Sequence, residues 1–299
     1  MRWFRSRGGD RPKVAAVRPA GRRPTPTAVR RRDDADWRSY DLVAEAYARV
    51  RAPETGTVAS DLVRMLGLDP GNRVLDVGTG TGVAARAAAD ALGPTGLSVG
   101  IDPSMPMLSI ARREVSAARF AAARAIDLPF ADHAFDAVVA AFTLAGFQKY
   151  DTALFDMLRV LKAGGRLGVC TWGRSEDEFT RTWREVAESF AGVEILRDAA
   201  ARAMPWAERF EDPARLKDTL YDAGLRNIRV ERREYRFEVR QEDYLAGGEI
   251  TSMGRFLHQM LGDELWETFR RRVRDAFAQR FPDTFNDFRE AVLAVGTKP

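Results

Sequence analysis

RVLDVGTGTG, residues 73–82, reads as a short buried strand carried by Val74, Leu75 and Val77 that runs directly into a loop with glycine at every second position: Gly78, Gly80 and Gly82. An alanine-rich helix is expected behind it, over about residues 83–91. Glycines at that spacing let the chain turn tightly and bring bare backbone N–H groups to a helix N-terminus, where they can face a ligand. Alone, the triplet fits a plain strand-to-helix turn equally well. The chain downstream of Gly82 decides between the two.

Outward from this unit the rhythm repeats. GLSVGI at 96–101 is a second short strand that stops at Asp102. Pro103 and Ser104 then open a helix with Ser104 as N-cap, Pro106 in its first turn and Met107, Leu108, Ile110 and Ala111 on its apolar face. A third strand is expected at 119–123. FDAVVAA at 135–141 is a fourth, apolar almost throughout. Leu154, Met157, Leu158 and Leu161 mark a helix starting at Asp151 and ended by Gly164 and Gly165, and 167–172 is a fifth strand. Alternating apolar strands and amphipathic helices imply an α/β fold, a doubly wound and mostly parallel sheet with its ligand edge at the strand C-termini. Upstream, 36–65 is helical with a break at Pro53. Beyond Trp172 the rhythm changes. Helices are expected around Phe179, Trp183, Val186 and Phe190, and over 213–223. A long strand is expected at 227–239, bulged near Arg232 because its apolar parity shifts there. Two more amphipathic helices use Ile250 to Met260 and Leu265 to Phe281, and a strand at 291–297 closes the chain.

The 299 residues are 45% hydrophobic and 10% aromatic, ample for a packed core. The +4 net charge is misleading, because residues 1–32 hold 11 Lys and Arg against one acid, net +10, which leaves the remainder at −6. Residues 1–32 are therefore expected to be a disordered basic tail, and 33–299 the folded domain. No apolar run suits a secretory signal or a membrane span. Cys170, the only cysteine, excludes an internal disulfide and a cysteine zinc cluster and fits a reducing cytoplasm; no metal site is expected.

Asp102, one strand over from the glycine loop, can accept both hydroxyl protons of a ribose, or simply cap the helix beside Pro103. Loop and acid together suit any adenosine cofactor, NAD included. The series VLDVGTGTG, GIDPSMPML, AIDLPFADHAFDAVV and LRVLKAGGRL, spanning about 40–172, resembles the ordered motifs of class I S-adenosylmethionine-dependent methyltransferases, particularly the small-molecule branch that includes quinone-biosynthesis C-methyltransferases. That resemblance implies S-adenosyl-L-methionine as cofactor and a seven-stranded sheet with a C-terminal antiparallel edge hairpin. The aromatic-rich helical material after Trp172 is expected to roof the site as a lid, placed around 174–210 and 240–285.

Carried onto this chain, the resemblance puts Asp76 near the methionine amino group of the cofactor and lets Gly78, Gly80 and Gly82 bring the loop backbone against its methionine and ribose portions. Asp102 would hold the ribose, Pro103 and Met107 would pack near the adenine, Ala125 would offer its backbone to the adenine edge, and Ala141 and Phe142 would border the sulfonium. Relatives carry an Asp-Ala pair four residues before Leu-Pro-Phe. Here Arg124-Ala125 stands there, and Arg cannot accept the adenine amino protons, so Asp127 becomes an alternative. Ala145-Gly146 likewise replaces a polar pair. Tyr40, Tyr47, Phe147, Trp172 and His258 are candidates for the acceptor pocket, each with core packing or a surface position as the plainer reading. His133 reads as a turn residue. No general base is assigned, because in-line methyl transfer needs one only for a protonated, weakly acidic nucleophile. The expected activity is methyl transfer to a small, partly apolar or aromatic metabolite. A catalytically inactive binding protein and an RNA methyltransferase remain alternatives; the acidic body counts against a nucleic-acid partner.

Overall fold

A computed structural model describes residues 36–174 and 177–299; the basic tail lies outside the described residues. The seven strands are β1 (Arg73–Val77), β2 (Leu97–Asp102), β3 (Arg119–Ala122), β4 (Phe135–Ala141), β5 (Leu161–Trp172), β6 (Arg226–Arg240) and β7 (Thr284–Thr297). They form one sheet in the order β3-β2-β1-β4-β5-β7-β6. The β1–β2, β2–β3, β1–β4 and β4–β5 pairs are parallel, and β7 enters antiparallel between β5 and β6. The strand order turns back beside β1, so the C-terminal ends of β1, β2 and β4 open on one crevice, where ligands of such sheets bind.

Side chains alternate across the sheet and build a core on each face. Val74, Ala137, Val139, Cys170 and Leu293 pack under α2 (Ala52–Leu66) and α3 (Val83–Leu92). Leu75, Val77, Val138, Leu167 and Val169 pack under α5 (Tyr150–Val160) and α9 (Pro213–Asp222), with Phe210 of the short α8 (Ala207–Phe210) in the same core. Val58, Ala59, Leu62 and Leu66, all inward on α2, follow the helical period, and each Leu stabilises by about 1.5–3 kcal/mol on burial. Pro53 opens α2 rather than kinking a longer helix, since the first turn needs no N–H from it. The shorter α1 (Ala44–Val50) precedes it and packs Ala44 and Tyr47 against Met107 and Ile110 of α4 (Met105–Glu114). The side chain of Ser104 caps α4, accepting the Met107 N–H at 3.3 Å.

A third core is separate from the sheet. Helices α6 (Glu178–Ala191), α7 (Val193–Ala203), α10 (Gln241–Glu249) and α11 (Ser252–Arg280) enclose Leu245, Leu257, Trp266, Phe269, Val273 and Phe277. β5 pairs β7 only across Ala291 to Thr297, so residues 284–290 pair with β6 alone as a two-stranded ribbon. That ribbon carries Phe285 and Val239 into the helical core, and so ties the helices to the sheet.

Three expectations are corrected. The helix before β5 ends at Val160, not at Gly164 and Gly165. These two glycines instead form a bulge within β5, where Leu161 opposes Phe135 but Arg166 opposes Ala137. Gly164 bends there at φ 76° and its N–H reaches the Lys298 carbonyl at 2.8 Å. β6 has no irregularity at Arg232; its register with β7 is continuous from Arg229 to Arg240, and the shift lies between Arg226 and Arg229. The apolar parity changes because different faces are covered. Ile228 and Val230 pack on the α9 side, while Tyr235 and Phe237 pack on the α2 side. β7 also begins seven residues earlier than expected, as the outer half of the ribbon. The two helices expected over 250–281 are the two runs of α11, parted at Gly262, whose φ of 70° and ψ of 170° are not helical.

Candidate active site

The glycine loop is built by three left-handed positions, with φ of 74° at Gly78, 54° at Gly80 and 86° at Gly82. A Cβ on Gly78 would stand 2.4 Å from Cγ2 of Thr143, so this position is closed to any side chain. Around Gly80 there is open space within 4 Å of an added Cβ. The Gly78 and Thr79 N–H groups both donate to the Ile101 carbonyl at 2.9 Å, stitching the loop to the end of β2. Asp102 completes that junction: Oδ2 accepts the Gly80 N–H at 3.0 Å and Oδ1 accepts the Ser104 N–H at 2.8 Å. Its carboxylate therefore faces the loop, and each oxygen keeps a lone pair for a further donor. Burial raises its pKa, opposed by these two backbone bonds.

Asp76 is 1% exposed at the end of β1. Thr79 Oγ1 donates to its Oδ2 at 2.6 Å, whereas Oδ1 has no partner among the described residues, and neither has buried Thr81 Oγ1 in the same loop. Burial pushes the Asp76 carboxyl up to about 7, against the Thr79 hydrogen bond. Buried polar atoms are rarely left without partners. Two in one loop beside Asp102 fit a cofactor with its own donors, a methionine ammonium or ribose hydroxyls.

On the adenine side, Met107 is buried against α1, Pro103 is exposed, Ala125 is half-buried, and Arg124 and Asp127 are exposed, Asp127 at a left-handed φ of 60°. What holds this loop was not visible in the sequence. Asp156 accepts the Leu128 N–H and the Arg159 Nε–H, and Arg159 in turn donates to the carbonyls of Leu128 and Phe130, so α5 clamps the Leu-Pro-Phe segment from below.

At the end of β4, Ala141 is half-buried and Phe142 adopts φ 59°, a strained value for a non-glycine. Its ring lies 4.5 Å from that of Trp172 at the end of β5. Arg289 of β7 lies over Trp172 at 5.4 Å. Beyond Trp172 opens a chamber of about 360 Å³ whose walls include Arg51, Asp177, Trp183, Tyr244, Met253 and Arg289. Of the acceptor-pocket candidates, Trp172 lines it. Tyr47 sits between Tyr40 and the α4 contact, and burial pushes its phenol up to about 12. The ring of Tyr40 is covered by the Arg255 guanidinium at 4.2 Å. Phe147 packs in the α5-side core and its carbonyl accepts the Trp206 indole N–H at 2.9 Å. His258 is half exposed, stacked on Trp266 and 3.0 Å from Asp263, away from the chamber walls. His133 lies beyond β4's opposite end, 3.2 Å from the Leu161 carbonyl. The thiol of Cys170 is pushed up to about 12 by burial, which removes it as a nucleophile.

A seven-stranded sheet of this order, with a glycine loop after β1 and an acid ending β2, defines a nucleoside-cofactor site. Residues 74–165 match the family model described as a methyltransferase domain. The chain is 35% identical over 178 residues to the ubiquinone/menaquinone biosynthesis C-methyltransferase UbiE of Ectopseudomonas mendocina, covering 56% of this chain and 70% of that one. It is 46% identical over 169 residues to the demethylmenaquinone methyltransferase of Thermus thermophilus, covering 53% and 76%. In structure it resembles YcgJ of Bacillus subtilis (TM-score 0.51, 18% identity, covering 81% and 99%). It also resembles the Haemonchus contortus phosphoethanolamine N-methyltransferase 2 solved with S-adenosyl-L-methionine (TM-score 0.53, 17% identity, covering 89% and 60%). The chain belongs to the UbiE and demethylmenaquinone methyltransferase family of S-adenosylmethionine-dependent enzymes. Its cofactor is S-adenosyl-L-methionine.

Proposed function

We propose that the enzyme methylates a small, planar, largely apolar aromatic acceptor of the quinol type, held in the chamber beyond Trp172. The relatives named for quinone biosynthesis support that class, and so do the aromatic chamber walls. The observation that carries the reading is the pair of unsatisfied polar atoms, Asp76 Oδ1 and Thr81 Oγ1, in a loop hydrogen-bonded to Asp102. In this reading Asp76 holds the cofactor's ammonium, Asp102 its ribose, the loop backbone its methionine portion, and Met107, Pro103 and Ala125 its adenine.

When bound, S-adenosylmethionine supplies a methyl group on a positively charged sulfur. The chain's own residues then act by placement. Phe142 and Trp172 wall the strand ends and exclude water, and the α6, α10 and α11 helices act as a lid that holds the acceptor ring against them. A base is unnecessary where the acceptor arrives ionised. We also place the enzyme in the cytoplasm: the sole cysteine is buried, and no helix among the described residues is long and apolar enough to cross a membrane.

Isothermal titration with S-adenosylhomocysteine tests the cofactor half. Binding to the full chain that is weakened about 10- to 100-fold in Asp102→Ala is expected, and binding unchanged by that substitution sinks the assignment. Mass spectrometry of dihydroxynaphthalene-type acceptors incubated with enzyme and S-adenosylmethionine tests the other half. One added methyl group is expected; no methylated product from any aromatic acceptor, with cofactor binding intact, overturns it.

A further inference from the structure

Two guanidiniums and an indole in the chamber walls keep unused N–H donors beside carboxylates that are already engaged. Arg289 sits at its floor with Nε on Asp287 at 2.6 Å and Nη1 on Glu54 at 3.1 Å, and Arg51 reaches the same Glu54 oxygen at 3.1 Å. Glu290 holds Arg232 at 3.3 Å, and Asp177 accepts the Thr180 N–H at 2.6 Å. The hydroxyls are also engaged: Thr180 and Tyr244 share a hydrogen bond at 3.4 Å, and Thr251 donates to the Gly248 carbonyl at 2.7 Å. Every carboxylate in or behind the walls thus already holds a cation or an amide. Asp287 Oδ1, the exception, is enclosed and forms no part of the chamber wall.

Nη2 of Arg289, Nε and Nη2 of Arg51 and the indole N–H of Trp183 have no acceptor among the described residues. Arg289 is held on two edges by carboxylates and lies over Trp172, so its third edge can take a ligand without further loss of side-chain freedom. A volume of about 360 Å³ suits a ligand of one or two fused rings, since small-molecule sites run from roughly 300 to 1,000 Å³.

We infer that Arg289 is the specificity-determining residue of the acceptor chamber, anchoring through Nη2 an anionic oxygen of an aromatic acceptor held among the chamber's aromatic walls. This rests on the acceptor reading above and adds to it the charge of the group recognised and the residue that recognises it. The anion comes from a carboxylate or from an ionised phenol, and the two sources share this chemistry. Glu54 and Asp287 act as positioning residues, setting the plane of the guanidinium.

The test is titration of the full chain, saturated with S-adenosylhomocysteine, with 2-naphthoate against neutral 2-naphthamide and with 4-nitrophenolate against nitrobenzene, monitored by quenching of tryptophan fluorescence. At least one anion is expected to bind about 10- to 100-fold more tightly than its neutral partner, the range of a hydrogen bond to a charged group. The favoured pair identifies the source. Equal affinity within both pairs, or no binding of any probe while S-adenosylhomocysteine still binds, overturns the inference and leaves the methyltransferase reading standing. Failure to bind S-adenosylhomocysteine instead strikes that reading. Arg289→Met should abolish the preference for the anion and Arg289→Lys should restore part of it. If the lone charges destabilise Arg289→Met, the balanced variant E54Q/D287N/R289M makes the same comparison. A preference for the anion that survives it places the anchor elsewhere and refutes the role of Arg289.

Discussion

The β1–loop–β2 junction and the lid chamber are built on opposite principles. In the junction, residues close in sequence meet: Asp76 and Thr79 are three apart, Gly80 and Asp102 are 22 apart, and three glycines take backbone angles that other residues resist. In the chamber, Glu54 and Arg51 meet Arg289 and Asp287 from the far end of the chain. The junction is rigid and intolerant because backbone carries it. In the proposed acceptor reading, the chamber, made of side chains and a helical roof with its own core, is where acceptor choice can change without disturbing the cofactor.

Substitution of matched glycines breaks or upholds that contrast. Gly78→Ala should cost about 2–4 kcal/mol, combining a left-handed φ with a clash against Thr143, and should abolish S-adenosylhomocysteine binding. Urea denaturation and calorimetry measure both. Asp102→Ala comes next: it removes the acceptor of two backbone N–H groups and should weaken S-adenosylhomocysteine binding about 10- to 100-fold.

A third expectation concerns Asp76, whose carboxyl ionises near 7 in the folded chain against 3.8 when exposed. The folded state holds the proton more tightly, so its contribution to stability is fully present below the lower value and is lost as pH rises towards 7. Asp76→Asn should flatten that slope in urea midpoints measured across the window. S-adenosylhomocysteine, whose ammonium favours the ionised carboxylate, should bind the native chain more tightly as pH rises through 7 and should release a proton below it. A pH-independent affinity would falsify the Asp76 contact. The smallest effect on the cofactor is expected in the lid: Gly262→Ala, with open space around the added methyl, should cost about 1–3 kcal/mol through a φ of 70° and ψ of 170° that only glycine adopts readily, and should leave S-adenosylhomocysteine binding unchanged. A larger loss there than at Gly78 would erase the distinction between the two regions.

Much of the junction was legible because its signals are local. Apolar runs marked β1, β2 and β4, glycine spacing marked the loop, and Asp102 fell at a strand end. Even nearby, packing hid some details. Thr143 against Gly78 and the Asp156–Arg159 clamp on Leu128 depend on elements folding back over one another. The shift of parity in β6 was legible as a shift but not as to its cause, since a change in which face is covered and a bulge leave the same pattern in one strand.

By itself the sequence determined the strand and helix alternation, the left-handed loop and the acid opposite it, because backbone preference and hydrophobic period are properties of neighbouring residues. Only the tertiary structure decided that β7 inserts beside β5, that the outer ribbon carries the lid core, and that Arg289 meets Glu54 and Asp287 over Trp172. Ion pairs and chamber walls are set by how distant surfaces pack, and no stretch of neighbouring residues encodes the choice among the many arginines that could have met those carboxylates.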